Sequence, residues 1–220
     1  MSVEAARLGA ALGAAGLAAL LVAPQRYVRL GGLAAVAVGG GFLAGYLVPS
    51  GSEKLLAAAL VVGAPFAAAG GYVLRRFPWV LPFAALACVP ARIPVNVGDT
   101  EANLLLPLYA VIAAAGVALA WSLYRGEGAI RELGIVAWPL AAFVALAGLS
   151  LAWSDDPRQG GITLLFFVLP FGVLAASLSR LPWRRAPVGY LLGLLAAMAV
   201  AFAAIGVFQW SRATCSGTRR

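Results

Sequence analysis

Residues 187–209 read PVGYLLGLLAAMAVAFAAIGVFQ, a run without a charged side chain that is long enough to cross a bilayer as one helix. Similar apolar runs recur along the chain, and short charged connections separate them. Of the 220 residues, 63% are hydrophobic and 11% are charged, and the mean hydropathy is +0.94. This composition excludes a water-soluble domain and predicts an all-α fold, a polytopic transmembrane helix bundle.

Hydropathy predicts eight spans, which cover residues 5–23, 30–49, 55–74, 77–91, 104–123, 134–152, 161–179 and 187–209. The fourth span is short and contains Pro78, Pro82 and Pro90, so a broken or re-entrant segment is an alternative to a crossing helix. The spans form one transmembrane domain, residues 1–210, before a short polar tail, residues 211–220. The first run lacks the net positive flank of a signal peptide, and we predict that it is retained.

The arginines between the spans predict the orientation of the chain. The odd-numbered connections hold most of the basic side chains, namely Arg26, Arg29, Arg75, Arg76, Arg125, Arg131, Arg180, Arg184 and Arg185. The positive-inside rule therefore places these connections in the cytoplasm and the N-terminus outside. The tail, on the outer side in this topology, carries three further arginines, which reduces the excess of basic residues on the cytoplasmic side. If the fourth span does not cross, every later segment is inverted. Topology thus explains the net charge of +8, and we expect no nucleic-acid partner.

Two predicted outer connections carry more polar chemistry than a turn requires. Residues 92–103 and 154–160 contain the candidate substrate-binding side chains, which are Arg92, Asp99, Glu101, Asp155, Asp156 and Arg158. In the functional interpretation the two arginines bind phosphate, because a guanidinium fork matches phosphate oxygens. Gln209, at the end of the last run, is a further candidate.

A structural interpretation of the same connections is also open. Asp99, Thr100 or Asn103 can cap the following helix, and residues 154–158 suit a solvated turn followed by a helix start. Arg92 can simply extend to the membrane interface. The adjacent Asp155 and Asp156 lack further ligands, and the chain contains no histidine, so we predict neither a metal site nor a cofactor. The glycine pairs Gly9/Gly13 and Gly41/Gly45 are interpreted as helix-packing positions.

Five short segments resemble a known family. They are Arg92-Ile-Pro-Val95, Leu104-Leu-Leu-Pro-Leu-Tyr109, Leu149-Ser-Leu-Ala-Trp-Ser-Asp155, Phe167-Val-Leu-Pro-Phe171 and Ile205-Gly-Val-Phe-Gln209. Together they are similar to the first half of the O-antigen ligase / O-antigen polymerase family, across roughly residues 75–210.

The resemblance implies a multi-pass glycosyltransferase of the cytoplasmic (inner) membrane that assembles envelope polysaccharide. Such proteins transfer a glycan from an undecaprenyl-diphosphate carrier to an acceptor, without a nucleotide sugar or a resident metal. Arg92 matches an outer-face arginine of the family pattern, and Arg158 matches less closely; no catalytic residue is assigned. Family members are longer, so we expect an N-terminal part that is inactive alone, whose last nine or so residues arise from a frameshift.

Two other classes of protein remain open from the residues alone. A transporter or permease fragment would show internal repeats or broken midplane helices, and only the proline-rich fourth span looks broken. A non-enzymatic membrane protein is compatible with the lack of converging catalytic side chains.

Overall fold

The computed structural model describes residues 2–47, 53–91, 93–97, 100–126, 134–179 and 188–216. The chain divides into two compact units, Met1–Leu181 and Pro182–Arg220. The described residues are helical apart from one two-stranded hairpin.

The first unit contains eight α-helices and the hairpin within its described residues. In chain order the elements are α1 (Val3–Val22), α2 (Arg26–Leu47), α3 (Glu53–Arg76), α4 (Val80–Cys88), β1 (Ile93–Val97), β2 (Thr100–Leu104), α5 (Leu106–Arg125), α6 (Ala137–Ser150), α7 (Pro157–Thr163) and α8 (Leu169–Leu178). A 3₁₀ turn, Gly134–Val136, leads into α6, and a π-helical turn, Leu164–Val168, joins α7 to α8. The second unit contains α9 (Val188–Ser216).

Five helices of the described chain are long and apolar enough to cross a membrane by length and composition. They are α1, α2, α5, the continuous helix Pro157–Leu178, and Val188–Gln209 of α9. This confirms the prediction of a helical chain of the membrane type. The count of eight spans is not confirmed, since the apolar helix Gly134–Ser150 is shorter and α4 has only nine residues.

Within the predicted fourth span, residues 77–91, the helix α4 covers nine residues, Val80–Cys88. Pro78 precedes α4 and Pro90 follows it, and a proline cannot donate the backbone hydrogen bond that extends a helix. Nine residues rise only about 13–14 Å, which is less than half the hydrocarbon thickness. The chain then enters the antiparallel hairpin, in which Ile93 pairs with Leu104 and Val97 with Thr100.

The predicted capping of α5 is wrong for two of its three candidates. Thr100 and Asn103 lie in β2, and the cap position is Leu105, which makes no side-chain capping hydrogen bond. Pro107 occupies the first turn of α5, where its missing N–H removes a donor that would otherwise need a cap. The third candidate, Asp99, lies outside the described residues.

Helix α1 packs closely against α2 through glycines. A Cβ at Gly16 would lie 2.6 Å from the carbonyl oxygen of Gly32, and one at Gly9 would lie 2.9 Å from that of Gly39. Such distances show that the two backbones touch, which only glycine permits. The packing interpretation is thus confirmed for Gly9. At Gly41 it is wrong, because a Cβ there would meet nothing within 4 Å.

Packing contacts also fix the directions of the helices in the first unit. Gly70 of α3 faces Ala114 of α5 and Arg75 lies over the ring of Trp121, so α3 and α5 run parallel. Helices α5 and α8 run parallel as well, because Tyr109 contacts Phe166 and Gly116 faces Val173. Two parallel neighbours require the chain between them to return, so residues 77–105 lead back from the end of α3 to the start of α5.

The first unit therefore has two distinct ends. Helix α1 also runs parallel to α8, because Gly13 faces Leu169 and Leu17 faces Gly172. We therefore call the end that contains the starts of α1, α5 and α7 the Asp156 end. The Trp121 end contains the ends of α1, α3, α5 and α8 and the start of α2.

Candidate functional site

The Asp156 end of the first unit brings together parts of both predicted outer connections. Strand β2 ends at Leu104, and one residue separates it from α5. Helix α5 packs against α8, which belongs to the continuous helix that begins at Pro157. The hairpin that carries Glu101 is thus joined to the same end as Asp155, Asp156 and Arg158. Sequence reasoning had placed these two connections on one face of the membrane, and the helices that follow them run in the same direction.

The segment 154–158 forms the turn and helix start that the structural interpretation predicts. Asp156 is the N-cap of α7, and its Oδ1 accepts hydrogen bonds from the backbone N–H groups of Arg158 and Gln159, each at 3.1 Å. Pro157 occupies the first turn, where its fixed φ suits the helix. Capping therefore accounts for Asp156, while the side chains of Asp155 and Arg158 are exposed and accessible to a ligand.

The remaining candidates lie in other elements or outside the described residues. Arg92 and Asp99 lie outside the described residues, and Glu101 lies in β2, in register with Asn96. Gln209 lies in α9 of the other unit, and α9 continues past it to Ser216. Among the residues that the structure describes, no three side chains of the metal-binding types come together.

A contact that sequence reasoning did not assign lies further along the helix that follows this turn, between α5 and the π turn. The hydroxyl of Tyr109 donates a hydrogen bond to the backbone carbonyl of Phe166 at 3.1 Å, and the two rings lie 5.9 Å apart. Both residues belong to segments apolar enough to span a membrane. A polar contact between two such segments is a specific link, because lipid offers the hydroxyl no alternative partner.

Pro170 explains why the Phe166 carbonyl is available. In a regular α-helix that carbonyl accepts from the N–H four residues later, but residue 170 is proline and has none. The helix widens instead into the π turn, in which the N–H of Leu169 bonds to the carbonyl of Leu164, five residues back. Such turns often occur at functional sites. A proline within an apolar run and a tyrosine just inside another were the available sequence signals.

Replacing Tyr109 with phenylalanine should lower the free energy of unfolding by about 1 kcal/mol, because one hydrogen bond inside the bundle is lost while the ring stays. Unfolding of the purified chain in detergent measures the effect. Tyr124→Phe is the matched control, since this residue of the same helix is 77% exposed. In a Pro170→Ala background the loss of stability caused by Tyr109→Phe should be smaller, because the N–H of alanine can donate to the Phe166 carbonyl in place of the tyrosine hydroxyl. Equal losses for Tyr109→Phe and Tyr124→Phe would contradict the assignment.

In comparisons with known proteins, no family model, curated protein or solved structure matches this chain. The function proposed for it rests on the sequence resemblance and on the contacts at the Asp156 end.

Proposed function

We propose that the chain corresponds to the N-terminal part of an O-antigen ligase-like integral membrane protein of envelope polysaccharide assembly. Three of the segments that carry the resemblance support this together. Leu104–Tyr109 leads into α5, Leu149–Asp155 precedes α7, and Phe167–Phe171 spans the end of the π turn, so all three flank the Asp156 end. The hydrogen bond between Tyr109 and Phe166 is the single observation that carries the proposal, because it joins the first of these segments to the residue immediately before the third.

The reaction of such a protein needs a cationic site for a lipid diphosphate. An acceptor hydroxyl attacks the anomeric carbon of the glycan, a base takes the hydroxyl proton, and the bond from that carbon to the diphosphate oxygen breaks. The diphosphate leaves on its undecaprenyl carrier with the added negative charge. In this proposal Arg158, with Arg92, stabilises that charge through bidentate hydrogen bonds, and the catalytic base is unassigned.

The proposal includes eight crossings and an outer N-terminus. Because α3, α5 and α8 run parallel, the chain must cross back between α3 and α5, through residues 77–105, and between α5 and α8, through α6. The charge distribution supports the orientation. Among the described side chains, the Trp121 end holds five arginines, which are Arg26, Arg29, Arg75, Arg76 and Arg125. At the Asp156 end Arg7 is paired with Glu4 at 3.3 Å, and Asp155 and Asp156 accompany Arg158. The positive-inside rule then favours the Trp121 end as cytoplasmic.

Single cysteines should report this topology in intact cells, after Cys88 and Cys215 are replaced by alanine. Ser2→Cys and Ser154→Cys are expected to react with a membrane-impermeant maleimide. Tyr124→Cys, which lies at the Trp121 end, is expected to react only after permeabilisation. The opposite labelling pattern would show that the chain has the inverted orientation. Labelling of Ser2→Cys without Ser154→Cys would mean an odd number of crossings between them.

Undecaprenyl diphosphate, incorporated into nanodiscs with the purified chain, is the probe for the proposed site. We expect binding that Arg92→Gln and Arg158→Gln each weaken by at least about fivefold, because hydrogen bonds to a charged group are among the strong ones. Arg76→Gln, at the opposite end, is the matched control and should leave the affinity unchanged. Undecaprenol should not compete, since it lacks the diphosphate.

Other outcomes of that experiment identify the rival classes. Absence of binding, or equal binding of all three variants, would reject the ligase-like assignment. Counterflow of a solute by the reconstituted chain would then favour the transporter fragment. If the chain shows neither lipid-diphosphate binding nor counterflow, the remaining class is a non-enzymatic membrane protein.

A further inference from the structure

Two arginines from different helices share one aromatic ring at the Trp121 end. The guanidinium carbons of Arg75 and Arg125 each lie 5.4 Å from the centroid of the Trp121 ring. Arg75 is in the last turn of α3 and Arg125 is the last residue of α5. The carbonyl groups at the helix ends and the face of the indole both attract cations, so the two guanidinium groups can lie at the same ring despite their like charges.

A third guanidinium joins them from α2. Gly126 ends α5 with φ of +65°, and Nη1 of Arg26 fills the space that a Cβ of this glycine would occupy. The Arg26 group also lies 4.6 Å above the ring of Tyr27 and donates to the hydroxyl of that residue at 2.6 Å. The glycine thus lets Arg26 lie directly beside the end of the helix that carries Trp121 and Arg125.

This convergence exceeds what membrane topology requires. The positive-inside rule asks only for basic residues on one side, and dispersed lysines satisfy it as well as arginines. Here arginines from three helices converge on the end of α5, and each guanidinium group lies over an aromatic ring. A planar guanidinium fork held in place is suited to phosphate oxygens, which accept two parallel hydrogen bonds from it.

The surroundings favour a phosphate that belongs to a lipid. Trp121 is 48% exposed, and the nearby helix ends carry Tyr72 and Tyr124, which are 71% and 77% exposed. Exposed tryptophan and tyrosine at the ends of long apolar helices are typical of the headgroup region of a bilayer. The arginine cluster is therefore placed at the depth where phospholipid phosphates lie.

We propose that Arg26, Arg75 and Arg125, oriented by Trp121, form a binding site for the phosphate of an anionic phospholipid. The site lies in the leaflet at the Trp121 end. It is at the opposite end of the bundle from the proposed diphosphate site and does not depend on it. It takes the headgroup of a resident lipid, with Trp121 as the platform for two of its three arginines.

The test uses the full chain in phosphatidylcholine nanodiscs that contain increasing amounts of phosphatidylglycerol. Native mass spectrometry counts the phosphatidylglycerol molecules that remain bound. We expect the double variant Arg75→Gln with Arg125→Gln to weaken retention by about tenfold or more, because each of these arginines loses a charge-assisted hydrogen bond to the bound phosphate. Arg76→Gln is the matched control, since this exposed neighbour is not among the residues over the Trp121 ring. It should change retention by less than about twofold.

Trp121→Leu separates the proposed site from a simple charge effect. This variant keeps every arginine and should still reduce retention about threefold, because the guanidinium groups lose their platform. Trp121→Phe keeps an aromatic face that attracts cations less strongly, so its lipid retention should lie between that of Trp121→Leu and that of the parent chain. Far-UV circular dichroism and cysteine labelling at position 154 verify the fold and orientation of each variant.

Three results would overturn the proposal. Equal losses for Arg76→Gln and the double variant would indicate a diffuse charge effect. Unchanged retention in folded Trp121→Leu would show that the ring does not organise a site. Displacement of phosphatidylglycerol by millimolar inorganic phosphate would indicate a site for a soluble anion instead of a lipid.

Discussion

Gly39→Ala is expected to destabilise the first unit by at least about 2 kcal/mol, although it adds a single methyl group. The new Cβ would lie 2.5 Å from the backbone nitrogen of Gly13 and 2.5 Å from the carbonyl oxygen of Gly9. Both obstacles are backbone atoms, so no change of rotamer relieves the clash. Helices α1 and α2 must separate, and the buried leucines near their interface, such as Leu17 and Leu43, then lose contacts.

The measurement is the unfolding free energy of the purified chain in detergent, obtained by titration with a denaturing detergent. Gly41→Ala is the matched control, because it lies two residues further along the same helix and a Cβ there meets nothing within 4 Å. At an exposed position inside a helix, replacing glycine with alanine raises the stability of the helix by up to about 1 kcal/mol. The two substitutions should therefore have opposite signs. Equal effects, or a stable Gly39→Ala protein, would contradict the packing described for α1 and α2.

The contrast between Gly39 and Gly41 shows where sequence reasoning ends for the fold. Apolar length predicts the long helices well, because bilayer thickness sets a requirement that one segment meets alone. Which glycine faces a neighbour depends on the rotation of α2 about its axis, and α1 fixes that rotation. The hairpin was missed for a related reason. Apolar and polar residues alternate within 93–97 as they do in a strand, but the segment is short and was assigned to a connection. Strand pairing is a property of two segments together.

The candidate site divides in the same way. The cap at Asp156 was predictable, since an aspartate before a proline and a helical run is a local signal. The contact of Tyr109 with Phe166 joins residues 57 positions apart, and no local pattern specifies such a pair. Pro170 marked an irregular helix, but the partner of the carbonyl that it frees comes from the packing of α5 against α8.

Arg29→Leu should lower the free energy of unfolding by about 2–4 kcal/mol, the second large effect that we expect. Sequence reasoning treated Arg29 only as a cytoplasmic charge, yet its side chain is 2% exposed, which makes it one of the largest fully buried side chains. Its Nε donates to the carbonyl of Ala23, the C-cap residue of α1. The guanidinium thus satisfies an unpaired carbonyl where α1 turns into α2.

Leucine would fill part of the space but leave that carbonyl without its donor, and a buried unpaired polar group is more costly than the loss of an exposed one. Arg29→Lys should be intermediate, since an ammonium group retains the charge but not the planar fork. Arg76→Leu removes an exposed arginine from the same end and should change stability by less than about 0.5 kcal/mol. Cysteine labelling at position 154 separates a stability effect from a change of orientation. A folded, correctly oriented Arg29→Leu protein with parental stability would mean that Arg29 acts as a topology signal alone.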